Sequence, residues 1–282
     1  MNNAPVAPQL YPSVTWRLII HPPASGAWNM AVDEALTESV AAGASQPALR
    51  FYAWQPGCLS LGYAQPAADV DNERLSAHGW DVVRRLTGGR AILHIDELTY
   101  SIVTPLNDPR VEGGVIESYR RLSEGLIVGL SRLGVAVHAG RADPKAHRFD
   151  GPVCFEVPSD YEITAQGKKL LGSAQTRRKG VALQHGALPL TGDVARICDA
   201  LAFASNADRQ QSRDRLVSRA LTLEQAHGDS LEIESVIEAL TRGFEQTLNL
   251  TLVRSSLTPA EADRSDELSA IKYATPEWTN RH

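Results

Sequence analysis

Three runs rich in branched and apolar residues, near 161–164, 169–176 and 180–188, are separated only by the turn signals Gln166-Gly167 and Arg178-Lys179-Gly180. Spacing of this kind predicts a β-meander, and the rest of the chain has to be arranged around that sheet. Residues 16–20, 49–54, 58–63, 81–86 and 98–103 read as further strands. The Gln55-Pro56-Gly57 signal predicts a hairpin between the second and third of these, and a Thr87-Gly88-Gly89 loop parts the last two. Ile116, Tyr119, Leu122, Leu126, Leu130 and Leu133 step by three or four, so 115–133 is the best amphipathic helix, stopped by Gly134. An earlier helix over 29–42 turns Ala31, Ala35, Leu36 and Val40 to a core, with Asn29, Asp33 and Glu34 read as residues of its start. From Val194 onward the pattern is mostly helical, over 197–203, 216–225 and 233–248. The polar segment 205–214 is the expected boundary, 140–151 is an expected functional loop, and no internal repeat is present.

A chain of 282 residues has ample length for a core that needs no covalent staples. Its net charge of -5 argues against whole-protein attraction to nucleic acid or to an anionic membrane. Cys58, Cys154 and Cys198 are too few for a disulfide framework, and no CxxC pair suggests a metal. The first 14 residues lack the basic start and apolar run of a signal peptide, and no apolar stretch approaches the roughly 20 residues that span a bilayer. A soluble cytoplasmic protein without a cofactor is therefore expected.

Three groups of residues can carry chemistry. Arg84-Arg85-Leu86-Thr87-Gly88-Gly89-Arg90 joins paired glycines, which let a ligand approach the backbone, to three guanidinium groups. An ordinary Gly-Gly turn with solvated arginines is the plainer alternative. This loop is neither a phosphate-binding P-loop nor a dinucleotide fingerprint. Residues 163–192 hold Lys168, Lys169, Arg177, Arg178, Lys179 and His185 without one acidic residue, a local reversal of sign in an acidic protein. Arg177 to Lys179 can simply decorate a hairpin tip, whereas strand alternation can point Lys169 into a partly buried site. Cys154, between a long loop and this basic stretch, is placed to have its thiolate stabilised, although a lone cysteine is more often a packing residue. Cys58 and Cys198 read as packing residues. His21, His94 and His185 are candidates to line a pocket.

These motifs, taken in order, resemble the lipoate-protein ligase and octanoyltransferase superfamily. Its core motif is similar to Arg84–Gly89 with Arg90, Ala91, Ile92, Leu93 and His94, followed by Glu97-Leu98-Thr99-Tyr100-Ser101. Asn29 to Leu36, Arg50-Phe51-Tyr52 and Ser60-Leu61-Gly62-Tyr63 resemble its earlier signatures. Cys154-Phe155, Pro158 to Glu162, Gly167-Lys168-Lys169, Gly172 to Thr176 and Gln184-His185-Gly186 look closest to the LipM-type octanoyltransferases. Lys272-Tyr273 and Pro276-Glu277-Trp278 resemble the family's carboxyl end.

The resemblance implies an α/β fold with a mixed-sheet, biotin/lipoate ligase-like catalytic core over 16–204 and a small helical carboxyl-terminal extension over 205–282. It implies transfer of octanoyl from acyl carrier protein to a lysine of a lipoyl domain, such as the glycine-cleavage H protein, through a thioester on Cys154 with Lys169 as the catalytic lysine. A thiolate keeps the acyl group activated, so a later attack by an amine needs no ATP. Substrate contacts are expected from Arg84, Arg85, Thr87, Gly88, Gly89, Arg90, His94, Gly172, Ser173, Ala174 and His185, with Arg84, Arg85 or Arg177 to Lys179 meeting the acidic carrier. No His or Asp that would orient the cysteine is evident. ATP-using ligases resemble the chain but carry a third glycine where Arg90 stands, which favours transfer over ligation. Ile95 follows His94 where many relatives place Asp, and Asp96 comes one position later. The alternatives are an ATP-dependent lipoate ligase, an amidotransferase between lipoyl domains and a non-catalytic acyl-binding regulator.

Overall fold

The computed structural model describes residues 11–140 and 162–282. Cys154, the 141–151 part of the expected loop and the segment up to Tyr161 lie outside the described residues.

The strands are β1 (Val14–Ile20), β2 (Ala48–Tyr52), β3 (Cys58–Leu61), β4 (Asp81–Arg84), β5 (Ile92–His94), β6 (Glu97–Pro105), β7 (Val137–Gly140), β8 (Glu162–Ala165), β9 (Lys168–Arg178), β10 (Val181–Pro189) and β11 (Leu250–Ser255). Among the described residues, eight of them form one mixed sheet in the order β11-β1-β2-β6-β10-β9-β8-β7, and β4-β3-β5 form a second. The meander is present as β8-β9-β10, antiparallel throughout. The hairpin expected around Gln55-Pro56-Gly57 is not. Both edges of β2 are taken, by β1 in parallel and β6 in antiparallel fashion, so β3 turns away and pairs with β4 and β5 instead.

The helices are α1 (Gly26–Ala41), α2 (Asn72–Ala77), α3 (Val115–Arg132), α4 (Asn206–Arg219), α5 (Leu223–His227), α6 (Ile233–Leu248), α7 (Pro259–Leu268) and α8 (Pro276–Thr279). α3 occupies the expected span and ends at Gly134, whose φ of 82° suits glycine. α1 starts earlier than expected, because Ser25 accepts a hydrogen bond from the Trp28 N–H and caps the helix there. Asp33 and Glu34 therefore sit two turns inside the helix, away from its dipole. Beyond Val194 the chain is mostly helical, with three departures from expectation. Residues 194–199 form a 3-10 turn in place of the helix over 197–203. The helix over 216–225 is split at Ala220, which runs extended so that the Leu221 N–H reaches the Lys169 carbonyl. β11 returns to the large sheet, parallel to β1.

One face of the large sheet, carrying Leu49, Phe51, Tyr100, Ile102 and Leu171, packs on α3 and α6 through residues such as Leu122, Leu126, Leu240 and Phe244. The opposite face packs on α1, where Ile19, Val103 and Leu183 meet Leu36 and Val40. α3 and α6 cross where both lack side chains: a Cβ on Gly243 would lie 2.1 Å from the Gly125 carbonyl oxygen and 2.5 Å from the Gly129 nitrogen. Backbone cannot give way as a flexible side chain does. Gly243→Ala is thus expected to cost about 1–3 kcal/mol of unfolding free energy in urea, and an unchanged midpoint would refute this account of the crossing. Among the described residues no helix is long and apolar enough to cross a membrane.

Candidate active site

On the α1 side of the large sheet, Tyr52, Thr99, Ala187 and Gly172 form one row across β2, β6, β10 and β9. Arg50, Ser101, His185 and Ala174 form the next. Side chains two apart on a strand share a face, so both rows look toward α1 and the small sheet. Between these layers lies a cavity of about 140 Å³, with Met30, Tyr52, Trp54, Ile92, Ala174 and Ala187 in its walls.

Lys169 reaches this cavity through a register shift. β8 and β9 pair at Ile163 and Leu171 but then at Thr164 and Lys169, leaving Leu170 extra. In an unbroken strand Lys169 would share the face of Leu171, against α3 and α6. The bulge turns it to the other face. There its side chain is 4% exposed, with Nζ 3.0 Å from Glu162 Oε1. The break between α4 and α5 supports the same residue from behind, because Leu221 holds its carbonyl.

Arg84 and Arg85 are adjacent on the chain and turn to different tasks. Arg84 lies outside the cavity: its guanidinium donates to the carbonyl oxygens of Gly62 (2.8 Å), Gln65 (2.6 Å) and Thr279 (2.7 Å), tying α8 to the loop after β3. Arg85 lines the cavity and organises the glycine loop, donating to the carbonyls of Gly88 (2.9 Å) and Arg90 (2.7 Å). Gly89 has φ 94°, and a Cβ on Gly62 would lie 1.9 Å from its carbonyl oxygen, so glycine is needed at both positions for the loop to descend. Gly89 and Arg90 line the cavity.

From Arg85 two chains of polar contacts run toward carboxylates. Its Nε donates to Thr87 Oγ1 (3.1 Å), and Thr87 lies 2.7 Å from His185 Nε2. His185 Nδ1 lies 3.2 Å from Asp33 Oδ2, and Arg50 donates to Asp33 Oδ1 (2.9 Å). The second chain begins with Arg85 Nη1 donating to Ser60 Oγ (3.1 Å), which lies 2.8 Å from His94 Nε2. His94 Nδ1 lies 3.1 Å from Glu97 Oε1. The donors dictate the His185 tautomer. Thr87, accepting from Arg85, has its own proton for His185 Nε2, which leaves the Nδ1–H to face Asp33.

Electrostatics agree for the first chain. Burial holds the His185 pKa below its ordinary value, and the Asp33 contact opposes this without overcoming it, so His185 is neutral. Burial alone would raise the Asp33 carboxyl, but the bond from His185 and the Arg50 charge outweigh it and bring the pKa below the usual carboxylate value. Asp33 and Asn29 were read from sequence as helix-start residues. Asp33 is instead the buried partner of Arg50 and His185, and Asn29 accepts from Arg50 through Oδ1 (2.7 Å). The visible signal was the Ser25 cap, which moves the helix start three residues upstream of Asn29.

Of the remaining candidates, His94, His185, Gly172, Ser173 and Ala174 line the cavity, whereas Thr87 and Gly88 do not and are instead bonded to Arg85. His21 does not line it; its Nδ1 accepts from Arg50 Nε (2.9 Å), and burial with the Arg50 charge lowers its pKa to about 4. The basic stretch disperses. Arg177 donates to the Val111 carbonyl and to Ser118 Oγ, Lys168 to the Val217 carbonyl, Lys179 pairs with Glu38, and Arg178 lies over the Tyr63 ring. Arg84, Arg85, Arg177 and Lys179 thus each have partners within the chain. Asp96 pairs with Arg196 at the turn between β5 and β6. Cys58 and Cys198 are buried, and burial pushes the Cys58 thiol well up, as fits packing residues. Met30, Tyr52, Trp54 and Ser60 complete the walls, and no charge or spacing marks them in the sequence.

Residues 25–245 match the family described as lipoyl protein ligase A/B catalytic domain. The chain is 44% identical over 272 residues to an octanoyltransferase LipM of Kyrpidia tusciae, covering 95% of this chain and 99% of that one. It is 35% identical over 273 residues to one of Staphylococcus aureus, covering 95% and 99%. Among solved structures, the bi-partite lipoate protein ligase of Thermoplasma acidophilum gives a TM-score of 0.80 at 25% identity, covering 94% of this chain and 96% of that one. A lipoate-protein ligase A bound with ATP gives 0.77 at 26%, covering 95% and 99%.

Proposed function

The chain belongs to the lipoyl protein ligase A/B catalytic-domain family, and on that premise we propose that it is an octanoyltransferase of lipoate biosynthesis acting on lipoyl-domain proteins. The observation that carries this reading is the near full-length likeness to octanoyltransferases, joined to a cavity in which a buried lysine meets apolar walls. A slot of that character suits an eight-carbon acyl chain, with up to ~0.8 kcal/mol for each methylene buried.

The reaction runs in two transfers. The Cys154 thiolate attacks the carbonyl carbon of an octanoyl thioester on acyl carrier protein; the carrier's sulfur leaves as thiolate and takes up a proton. The amine of a lipoyl-domain lysine, as on the glycine-cleavage H protein, then attacks the enzyme thioester. An amide forms, Cys154 sulfur leaves, and the amine gives up a proton. Energy stored in the thioester drives both steps, so ATP is not required. The Lys169 ammonium stabilises the thiolate and the negative charge that grows on the carbonyl oxygen. Arg85, and His185 through Thr87, hold the glycine loop over the acyl chain. The cysteine thiol fits a cytoplasmic setting, where thiols stay reduced.

Likeness to an ATP-bound ligase favours one other reading, adenylation of free lipoate. Purified enzyme, octanoyl-carrier thioester and an apo lipoyl domain separate the two. The acceptor gains an octanoyl group without ATP if the transferase reading holds. A strict requirement for ATP and a free acid, or for an octanoylated lipoyl domain as donor, contradicts it.

A further inference from the structure

Two exposed arginines converge on one aromatic ring beside the glycine loop. The guanidinium carbons of Arg178 and Arg281 lie 4.6 Å and 4.4 Å from the Tyr63 ring centroid, and Arg281 Nη2 donates to the Tyr63 hydroxyl (2.9 Å). Bonds from Arg178 and from Arg281 hold the phenol's pKa below its ordinary value. Arg281 also lies over the Trp278 ring, 4.6 Å from its centroid. Among the described residues neither arginine forms an ion pair, whereas the cations next to them do: Lys179 faces Glu38 and Lys272 faces Glu34. Two like charges are therefore held together on one neutral ring, and an anion placed between them offsets their repulsion.

The pair stands just outside the cavity. Gly89 both lines the cavity and is exposed, so the cavity meets solvent at the glycine loop. Tyr63 is fixed to that loop: its N–H donates to the Thr87 carbonyl (2.8 Å), and the preceding Gly62 packs against the Gly89 carbonyl. Arg178 comes to the ring from the large sheet. On β9, Ala174 is in the cavity wall and Arg178 shares its face four residues further on, about 13 Å along the strand. A partner that meets both arginines is thus held beside the opening and not within the slot.

We propose that Arg178 and Arg281, seated on Tyr63, dock the acidic surface of acyl carrier protein while its acyl group is delivered into the cavity. This inference rests on the octanoyl-transfer reading and names the surface that the donor uses. The donor's thioester is carried on a long flexible arm, so the carrier's body stays outside the opening, where the pair is. An acceptor lysine has no such arm, and its domain has to close on the cavity itself. Guanidinium groups suit the task, since each offers a planar fork to a carboxylate and is weakly hydrated. Arg177 and Lys179 are engaged within the chain, which leaves Arg178 of that basic stretch, and Arg281 joins it from beyond α8.

The test compares octanoyl-carrier thioester with octanoyl-pantetheine, an uncharged donor with the same reacting group and no protein, in transfer to an apo lipoyl domain. Arg178→Glu with Arg281→Glu is expected to lower kcat/KM for the carrier thioester at least ~10-fold, through KM, and to change it less than ~2-fold for octanoyl-pantetheine. In the unaltered enzyme the carrier KM rises with salt, and the double variant should lose most of that dependence. Arg178→Gln with Arg281→Gln adds no new charge and should show the same pattern with a smaller loss, and it serves if the reversed pair does not fold. An equal fall with both donors reports a disturbed glycine loop and overturns the proposal. An unchanged carrier KM, or a rise confined to the KM of the lipoyl domain, overturns it too. If the unaltered enzyme takes no octanoyl from the carrier, the functional reading fails before any variant is made, and this proposal with it.

Discussion

Lys169→Met is expected to lower octanoyl transfer by roughly 10²–10³-fold while the chain stays folded. The side chain is 4% exposed and its charge faces Glu162, so its field acts across a medium far less polar than water. A positioned cation is worth most there, because it is aligned before charge develops on the substrate. Methionine keeps the bulk of the side chain and removes only the charge. Glu162 is 16% exposed and can regain water, which limits the loss of stability. Lys169→Arg is not expected to restore the rate, since a planar fork cannot occupy the place of a compact ammonium on a bulged strand. Steady-state transfer to an apo lipoyl domain, with thermal melting alongside, gives both quantities. A Lys169→Met enzyme within about 3-fold of the unaltered rate would remove Lys169 from the mechanism.

Asp33→Ala is expected to have the largest effect on stability, about 3–5 kcal/mol by denaturant unfolding. Its partner Arg50 is fully buried, and removing the carboxylate leaves that charge uncompensated among Asn29, His21 and the Tyr52 ring. Asp33→Asn keeps the shape and part of the bonding and should cost less. The two variants also differ from the unaltered chain in acid. Because the folded Asp33 pKa lies below the unfolded value of about 4, its contribution is complete above that pH and is lost as the pH falls through the folded value. Asp33→Asn should therefore flatten the fall in stability below about pH 4. A loss under 1 kcal/mol for Asp33→Ala, or an acid limb unchanged in Asp33→Asn, contradicts the assigned role.

The elements legible in the sequence were those whose signals are local. The β8-β9-β10 meander carries its turns within it, and α3 carries its own apolar stripe and glycine stop. Pairing partners are a property of the whole sheet. The Gln55-Pro56-Gly57 turn looks like a hairpin until β1 and β6 are seen to occupy both edges of β2, and β11 joins the sheet through a contact more than 200 residues away. The site divides in the same way. Gly89, Arg90, Lys169 and His185 stand out by type, but type alone did not distinguish Arg85, which faces the cavity, from Arg84, which faces carbonyls. Lys169 points inward because of a bulge that alternation does not reveal. Asp33 was legible only through the Ser25 cap that fixes where α1 begins.

The central claim is that the acyl group passes through Cys154. Intact-protein mass measurement after incubation with octanoyl-carrier thioester, without ATP or acceptor, tests it most directly. The unaltered enzyme is predicted to gain one octanoyl group, which is removed on adding an apo lipoyl domain and appears on that domain. Cys154→Ala is predicted to gain none. Equal labelling of the Cys154→Ala variant, or transfer to the lipoyl domain at an undiminished rate without it, would contradict the account.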